Sequence, residues 1–288
     1  QMKKGIIFFL LFCLALPSFS PTDAGQVQSE WLTNDEGRTT LRLGISYTPE
    51  IDPGIVDSDE AIAVSTHLFR GLTQLNDSGE TIPDLAKSWE ASENFTTWTF
   101  KLKDELFWVD ASGSKQVPLT ARDLLFAWKR SFDSDNSPLL DQSIIEECIA
   151  VDDRTIVYHL GEPYGGFPYL LSMPNTFPVP ESLIEANGDD WDQLNLIWTS
   201  GPYYLQSFSV NESMVMQRNH HWPETNAIQT ERVEIIFADD QTLLTAYQQD
   251  DLDIAWLGDA SVLASIAKDP GLANQILTLP SLEVFGYV

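Results

Sequence analysis

From Thr97 to Lys103 the chain alternates strictly: Trp98, Phe100 and Leu102 fall on one side, and Thr97, Thr99, Lys101 and Lys103 on the other. A period of two is that of a half-buried strand, whose side chains point to opposite faces in turn. The same signal recurs at Thr39–Ser46, with Leu41, Leu43 and Ile45 on one side, and at Ile156–Leu160 after a turn over Val151–Thr155; Val233–Phe237 reads as a further strand. Helical spacing appears between these strands. Asp59–Arg70 carries Ala61, Val64, Leu68 and Phe69 as a stripe, with Ser58 as its cap and Gly71 as its stop. Thr120-Ala121-Arg122-Asp123 resembles a capping box and opens a helix with Leu124, Leu125 and Trp128 on one face; Lys129 and Arg130 suit its last turn. Leu85 and Trp89, four apart, predict a short helical turn. Pro178-Val179-Pro180 feeds a helix over Glu181–Ala186. Asp239 caps another, with Leu243, Leu244 and Tyr247, and Ser261–Lys268 predicts a last one, stopped by Asp269-Pro270-Gly271. Gln26–Arg38 reads as polar and extended, and Leu282–Val288 as an apolar strand. Strands and helices alternate toward both ends and hairpins dominate between, which predicts an α/β class with mixed sheets.

At 43% hydrophobic, the 288 residues can build real cores, and they leave room for about two domains of roughly 100–200 residues each. A net charge of −27 argues against nucleic acid or an anionic membrane surface as partner. Met2–Ala24 has the plan of a secretory signal: Lys3 and Lys4, an apolar run from Gly5 to Leu16, then Pro17 and small or polar residues. We take residues 1–25 as this segment. If Cys13 leaves with it, Cys148 is the one remaining thiol and forms no intramolecular disulfide. Gln1 before Met2, and the apolar end at Val288, make the chain read as the front half of a longer protein.

No Gly-x-Ser-x-Gly elbow, His-Glu-x-x-His pair or phosphate loop occurs, so an exported hydrolase is the weaker functional class. His220 and His221 are adjacent; on a strand they face opposite ways and do not chelate one ion together. Asp250-Asp251-Leu252-Asp253 lacks the glycine and the closing glutamate of a calcium loop. No metal and no cofactor is expected.

Three segments together carry a resemblance. Ala86-Lys87-Ser88-Trp89-Glu90, Thr97-Trp98-Thr99-Phe100-Lys101-Leu102 and Leu119-Thr120-Ala121-Arg122-Asp123 occur in one order, with a helix ending Trp128-Lys129-Arg130. Leu68-Phe69-Arg70-Gly71-Leu72, Val151-Asp152-Asp153-Arg154-Thr155, Ser200-Gly201-Pro202-Tyr203-Tyr204-Leu205 and Arg218-Asn219 extend it. The concatenation resembles the solute-binding proteins of peptide and nickel ABC transporters (family 5), the oligopeptide binders most of all. Arg70 departs from the family's Leu-Phe-Glu-Gly-Leu, and His220-His221 replace its proline and the residue after it.

The resemblance implies a periplasmic-binding-protein-like fold of the type II, cluster C kind. Residues 26–60 plus 185–288 would form a discontinuous first lobe, with 61–184 an inserted small domain; the second lobe lies beyond this chain. It implies a periplasmic, monomeric receptor that captures oligopeptides, delivers them to an inner-membrane ABC permease complex and catalyses nothing. A nickel complex, haem or an oligosaccharide are the other solutes such a fold would take. Carried over residue by residue, ligand contacts fall at Tyr47, Thr48 and Pro49 after the first strand, at Leu139 in Ser137-Pro138-Leu139, at Met173 and at Trp256. Leu139, Met173 and Trp256 stand where the family has polar groups, which predicts a more apolar pocket.

Overall fold

The computed structural model describes residues 39–56, 58–76, 78–133 and 144–276. The signal segment, the extended Gln26–Arg38, Leu139 and the strand expected at Leu282–Val288 lie outside these residues.

Thr40–Ile45 forms β1, as its alternation predicts. Ser58 then opens α1, Asp59–Leu68, by accepting the Ala61 N–H on its hydroxyl, and Ala61, Val64 and Leu68 are buried along one side. Two short strands, β2 (Thr73–Leu75) and β3 (Thr81–Pro83), pair antiparallel across the Asn76–Gly79 turn. Gly71, before β2, has no room for a side chain: a Cβ there would lie 2.3 Å from the Leu171 carbonyl oxygen.

The helical turn expected over Leu85–Trp89 is absent. Ala86–Ala91 is instead a strand, β4, paired antiparallel with β5, Thr97–Leu102. A ladder of backbone hydrogen bonds to β5, interrupted only by a register shift between Ala86 and Ser88, outweighs one side-chain contact at a spacing of four. In β5 the alternation holds: Trp98, Phe100 and Leu102 are buried, and Thr97, Thr99 and Lys101 are not. β6 (Phe107–Asp110) and β7 (Lys115–Pro118) form a further hairpin. The capping box is realised before α2, Ala121–Asp133: the Asp123 carboxylate accepts the Thr120 N–H at 2.8 Å, and the Thr120 hydroxyl accepts the Arg122 N–H.

β8 (Ile145–Asp152) and β9 (Thr155–Leu160) complete a four-stranded sheet of order β4-β5-β9-β8. Its inner face meets the short helix α3, Phe167–Leu170, whose Phe167 ring lies 5.2 Å from Tyr158 and 6.1 Å from Trp98. This aromatic cluster is the sheet's core. α4 follows at Glu181–Asn187, and β10 (Trp198–Thr199) joins β6 and β7. β11 (Tyr203–Ser209), β12 (Ser213–Arg218) and β13 (Arg232–Phe237) then lead into α5, Asp240–Gln248. β14 (Ile254–Ala255) and α6 (Ala260–Ile266) come last.

Two units divide the chain. One takes Gln1–Thr48, Ser207–Met216 and Asn226–Val288 as far as these are described; the other takes Pro49–Gln206 and Gln217–Thr225. β1, β13 and β14 of the first belong to a five-stranded sheet of order β11-β12-β13-β1-β14. β1 pairs parallel with both β13 and β14, so the β13–α5–β14 crossover spans β1. α5 and α6 bury Leu243, Leu244, Tyr247, Val262 and Ile266 against Leu252, Ala255 and Leu257. Gly44 in β1 permits this packing: a Cβ there would sit 2.6 Å from Leu243 Cδ2 and 2.7 Å from Leu252 Cδ1.

Candidate functional site

In parallel sheets with crossover helices, ligands bind outside the carboxyl ends of the strands, where loops turn away from the ladder. In the first unit β1, β13 and β14 end level with one another: Ile45 is opposite Phe237, and Gly44 opposite Ala255. Three corners follow them: Ser46-Tyr47-Thr48, Ala238-Asp239-Asp240, and Trp256-Leu257-Gly258-Asp259.

The three carboxylates of this edge are bound to backbone N–H groups. Asp239 caps α5 by accepting from Thr242 N at 3.0 Å, and that bond holds its carboxyl below the usual range. Asp259 caps α6, accepting from Ser261 N and Val262 N; the Ser261 hydroxyl, then these N–H groups, lower its carboxyl likewise. Asp240 is buried, and its Oδ2 accepts from Gly258 N at 2.7 Å and Asp259 N at 2.6 Å.

The sequence-derived ligand contacts are distributed as follows. Tyr47, 37% exposed, and Thr48 extend from the carboxyl end of β1. The Thr48 hydroxyl accepts the Asn211 N–H at 2.8 Å, which ties it to the turn between β11 and β12. Trp256 belongs to the same edge: its N–H donates to Gly44 O at 2.8 Å, and the residue is only 5% exposed. Tyr47, Thr48 and Trp256 are therefore brought to one sheet edge. Pro49 opens the second unit and is buried; Met173 also lies there, half-buried, on the corner after α3.

Three arrangements escaped the sequence reading. Asp240 is one: its acceptor role depends on N–H groups 18 and 19 residues on. The second is Asp52 of the Asp-Pro turn, which is 3% exposed and holds Arg130 through Nη1 at 3.1 Å and Nη2 at 2.5 Å. Arg130 lies over the Trp191 ring at 5.9 Å. The third is a cavity of about 240 Å³ in the second unit, lined among others by Arg130, Ser131, Asn175, Phe177 and Asp189. Asn175 is 6% exposed, and neither polar atom of its carboxamide has a hydrogen-bond partner. Among the described residues no group of three His, Cys, Asp or Glu is placed to hold a metal ion. Nor, among them, is any helix long and apolar enough to cross a membrane.

Residues 80–287 match the family model of bacterial extracellular solute-binding proteins, family 5 middle region. The chain belongs to that family. Among curated relatives, the periplasmic oligopeptide-binding protein OppA of Escherichia coli K12 is 28% identical over 243 residues, covering 77% of this chain and 44% of its own length. A probable deoxycholate-binding periplasmic protein, YgiS, of the same organism is 27% identical over 295 residues, covering 95% of this chain and 53% of its own. Among solved structures, the E. coli murein tripeptide binding protein MppA superposes with a TM-score of 0.70 at 26% identity, over 80% of this chain and 48% of that one. OppA of Burkholderia pseudomallei gives 0.71 at 24% identity over the same shares, a likeness of fold. The periplasmic-binding-protein-like architecture with mixed sheets is thus the fold of this chain, which spans about half the length of the relatives it matches.

Proposed function

We propose that the full-length protein is an extracytoplasmic receptor that captures oligopeptides and delivers them to an ABC permease in the membrane. The observation that carries this reading is the family match over residues 80–287, supported by relatives named for oligopeptide and murein tripeptide binding. The lobe-and-insert division belongs to the proposal: residues 26–60 plus 185–288 as the first lobe, 61–184 as the small domain. So do export to the periplasm, a monomeric state, and capture without turnover. Tyr47, Thr48, Pro49, Leu139, Met173 and Trp256 are its ligand contacts. An extended peptide would be held largely through its main chain, with side chains in tolerant pockets. Native mass spectrometry of the full-length protein, purified from its host without refolding, tests the reading. A ladder of co-purified short peptides supports it; turnover of a peptide by the pure protein defeats it.

A second reading has two observations in its favour. The match to the relative named for deoxycholate covers 95% of this chain, and the proposed contacts Met173 and Trp256 are apolar. A steroid-like amphipathic solute suits such a surface. In the same experiment it would appear as a single discrete mass in place of a ladder.

A further inference from the structure

We infer that Asp240 is a positioning residue for ligand capture: its carboxylate fixes the Trp256–Asp259 corner and so sets the place of Trp256 on the ligand edge. The inference rests on the proposed reading of that edge as ligand-binding. Asp240 is the first residue of α5, next to Asp239, which already caps the helix. Its carboxylate is therefore not needed as a cap. It turns instead to the next corner of the sheet, where one oxygen accepts both Gly258 N, at 2.7 Å, and Asp259 N, at 2.6 Å. Charge-assisted bonds of this kind are about twice as strong as neutral ones. The corner after β14 is thereby fastened to the corner after β13.

Trp256 stands between two fixed points. On one side its own N–H continues the ladder to Gly44 O. On the other, the chain is held two and three residues later by Asp240. Side-chain packing does not do this at Gly258, where a Cβ would meet nothing within 4 Å. The two hydrogen bonds are what hold the backbone there, while the fully buried Leu257 anchors the residue between. A binding wall keeps its geometry only when the groups behind it are themselves locked.

The test compares the full-length wild type with Asp240→Ala, Asp240→Asn, Trp256→Ala and the double variant Asp240→Ala/Trp256→Ala. Each is offered a random tripeptide library, and occupancy is read by native mass spectrometry well below the unfolding temperature. Asp240→Ala should bind about tenfold more weakly, and Asp240→Asn, which keeps an acceptor oxygen, about threefold. Because Asp240 acts through Trp256, the double variant should bind no more weakly than Trp256→Ala alone; a purely structural role would make the two losses add. Wild-type occupancy in Asp240→Ala, or additive losses, overturns the inference. If Asp240→Ala does not fold, Asp240→Asn carries the test, and its binding as tightly as wild type has the same force. If Trp256→Ala binds as wild type, the ligand-edge reading itself has failed and this inference falls with it. A wild type that captures no tripeptide overturns the peptide reading and this inference together.

Discussion

Replacing Asp84 by asparagine probes a buried ion pair whose stability should run with pH in an unusual direction. Asp84 lies between β3 and β4 and is 1% exposed. Its Oδ2 accepts from Arg70 Nε at 2.5 Å, while Oδ1 is buried without a partner. Arg70 also donates to Gln74 and to the Thr66 carbonyl, and lies 6.0 Å over the Trp222 ring. Burial raises the Asp84 carboxyl from 3.8 to about 6; Arg70 and Lys103 pull it down and Glu224 pushes it up, without reversing the effect of burial. Taking the carboxylate out of water thus outweighs its attraction to Arg70. A difference of about 2.2 (6 minus 3.8), at about 1.36 kcal/mol per pH unit, amounts to about 3 kcal/mol.

The folded state binds the proton more tightly than the unfolded chain. This group's contribution is therefore complete below about 3.8 and is lost as pH rises through about 6. About 2 kcal/mol of it should disappear between pH 4 and pH 7.5. Asp84→Asn stands in for the protonated carboxyl and lacks this dependence. Urea unfolding of both proteins at half-unit pH intervals isolates the term as a difference, free of every other titrating group. The variant should gain about 2 kcal/mol on the wild type from pH 4 to pH 7.5. Parallel stability curves would refute the reasoning and mean that water reaches Asp84, or that Arg70 compensates its charge in full.

Two further outcomes follow from packing and burial. Gly44→Val should destabilise the first unit by about 1–3 kcal/mol, since the new side chain must displace Leu243 and Leu252 from a filled core; calorimetry of the full-length protein checks this, and an unchanged transition would show that α5 can shift. Burial pushes the Cys148 thiol up to about 12, so it should resist alkylation at pH 8 in the folded protein and react once urea unfolds it; rapid labelling of the native state would contradict its placement in β8.

Much of the local structure was legible because its causes are local. Strict alternation placed β1, β5 and β9, and the residues it set inward in β5 are the buried ones. Ser58, Thr120 and Asp239 cap helices through bonds that span two or three residues, so a short window of sequence contains both partners. The family likewise was written in short motifs. The segment at Trp89 went the other way, because a spacing of four cannot reveal that a partner strand lies eleven residues on, at Phe100.

The sequence by itself determined which stretches are strands and helices, where several helices begin, and to which family the chain belongs. Only the tertiary structure decided what faces what. The Asp240 carboxylate turned to Gly258, Asp84 answering Arg70, Asp52 holding Arg130, and Gly44 making room for Leu243 all join residues 14 to 199 positions apart. The physical reason is one of range. Propensities, caps and alternation act within a few residues, whereas buried charge pairs and close packing exist only once the chain has brought distant segments within a few ångströms.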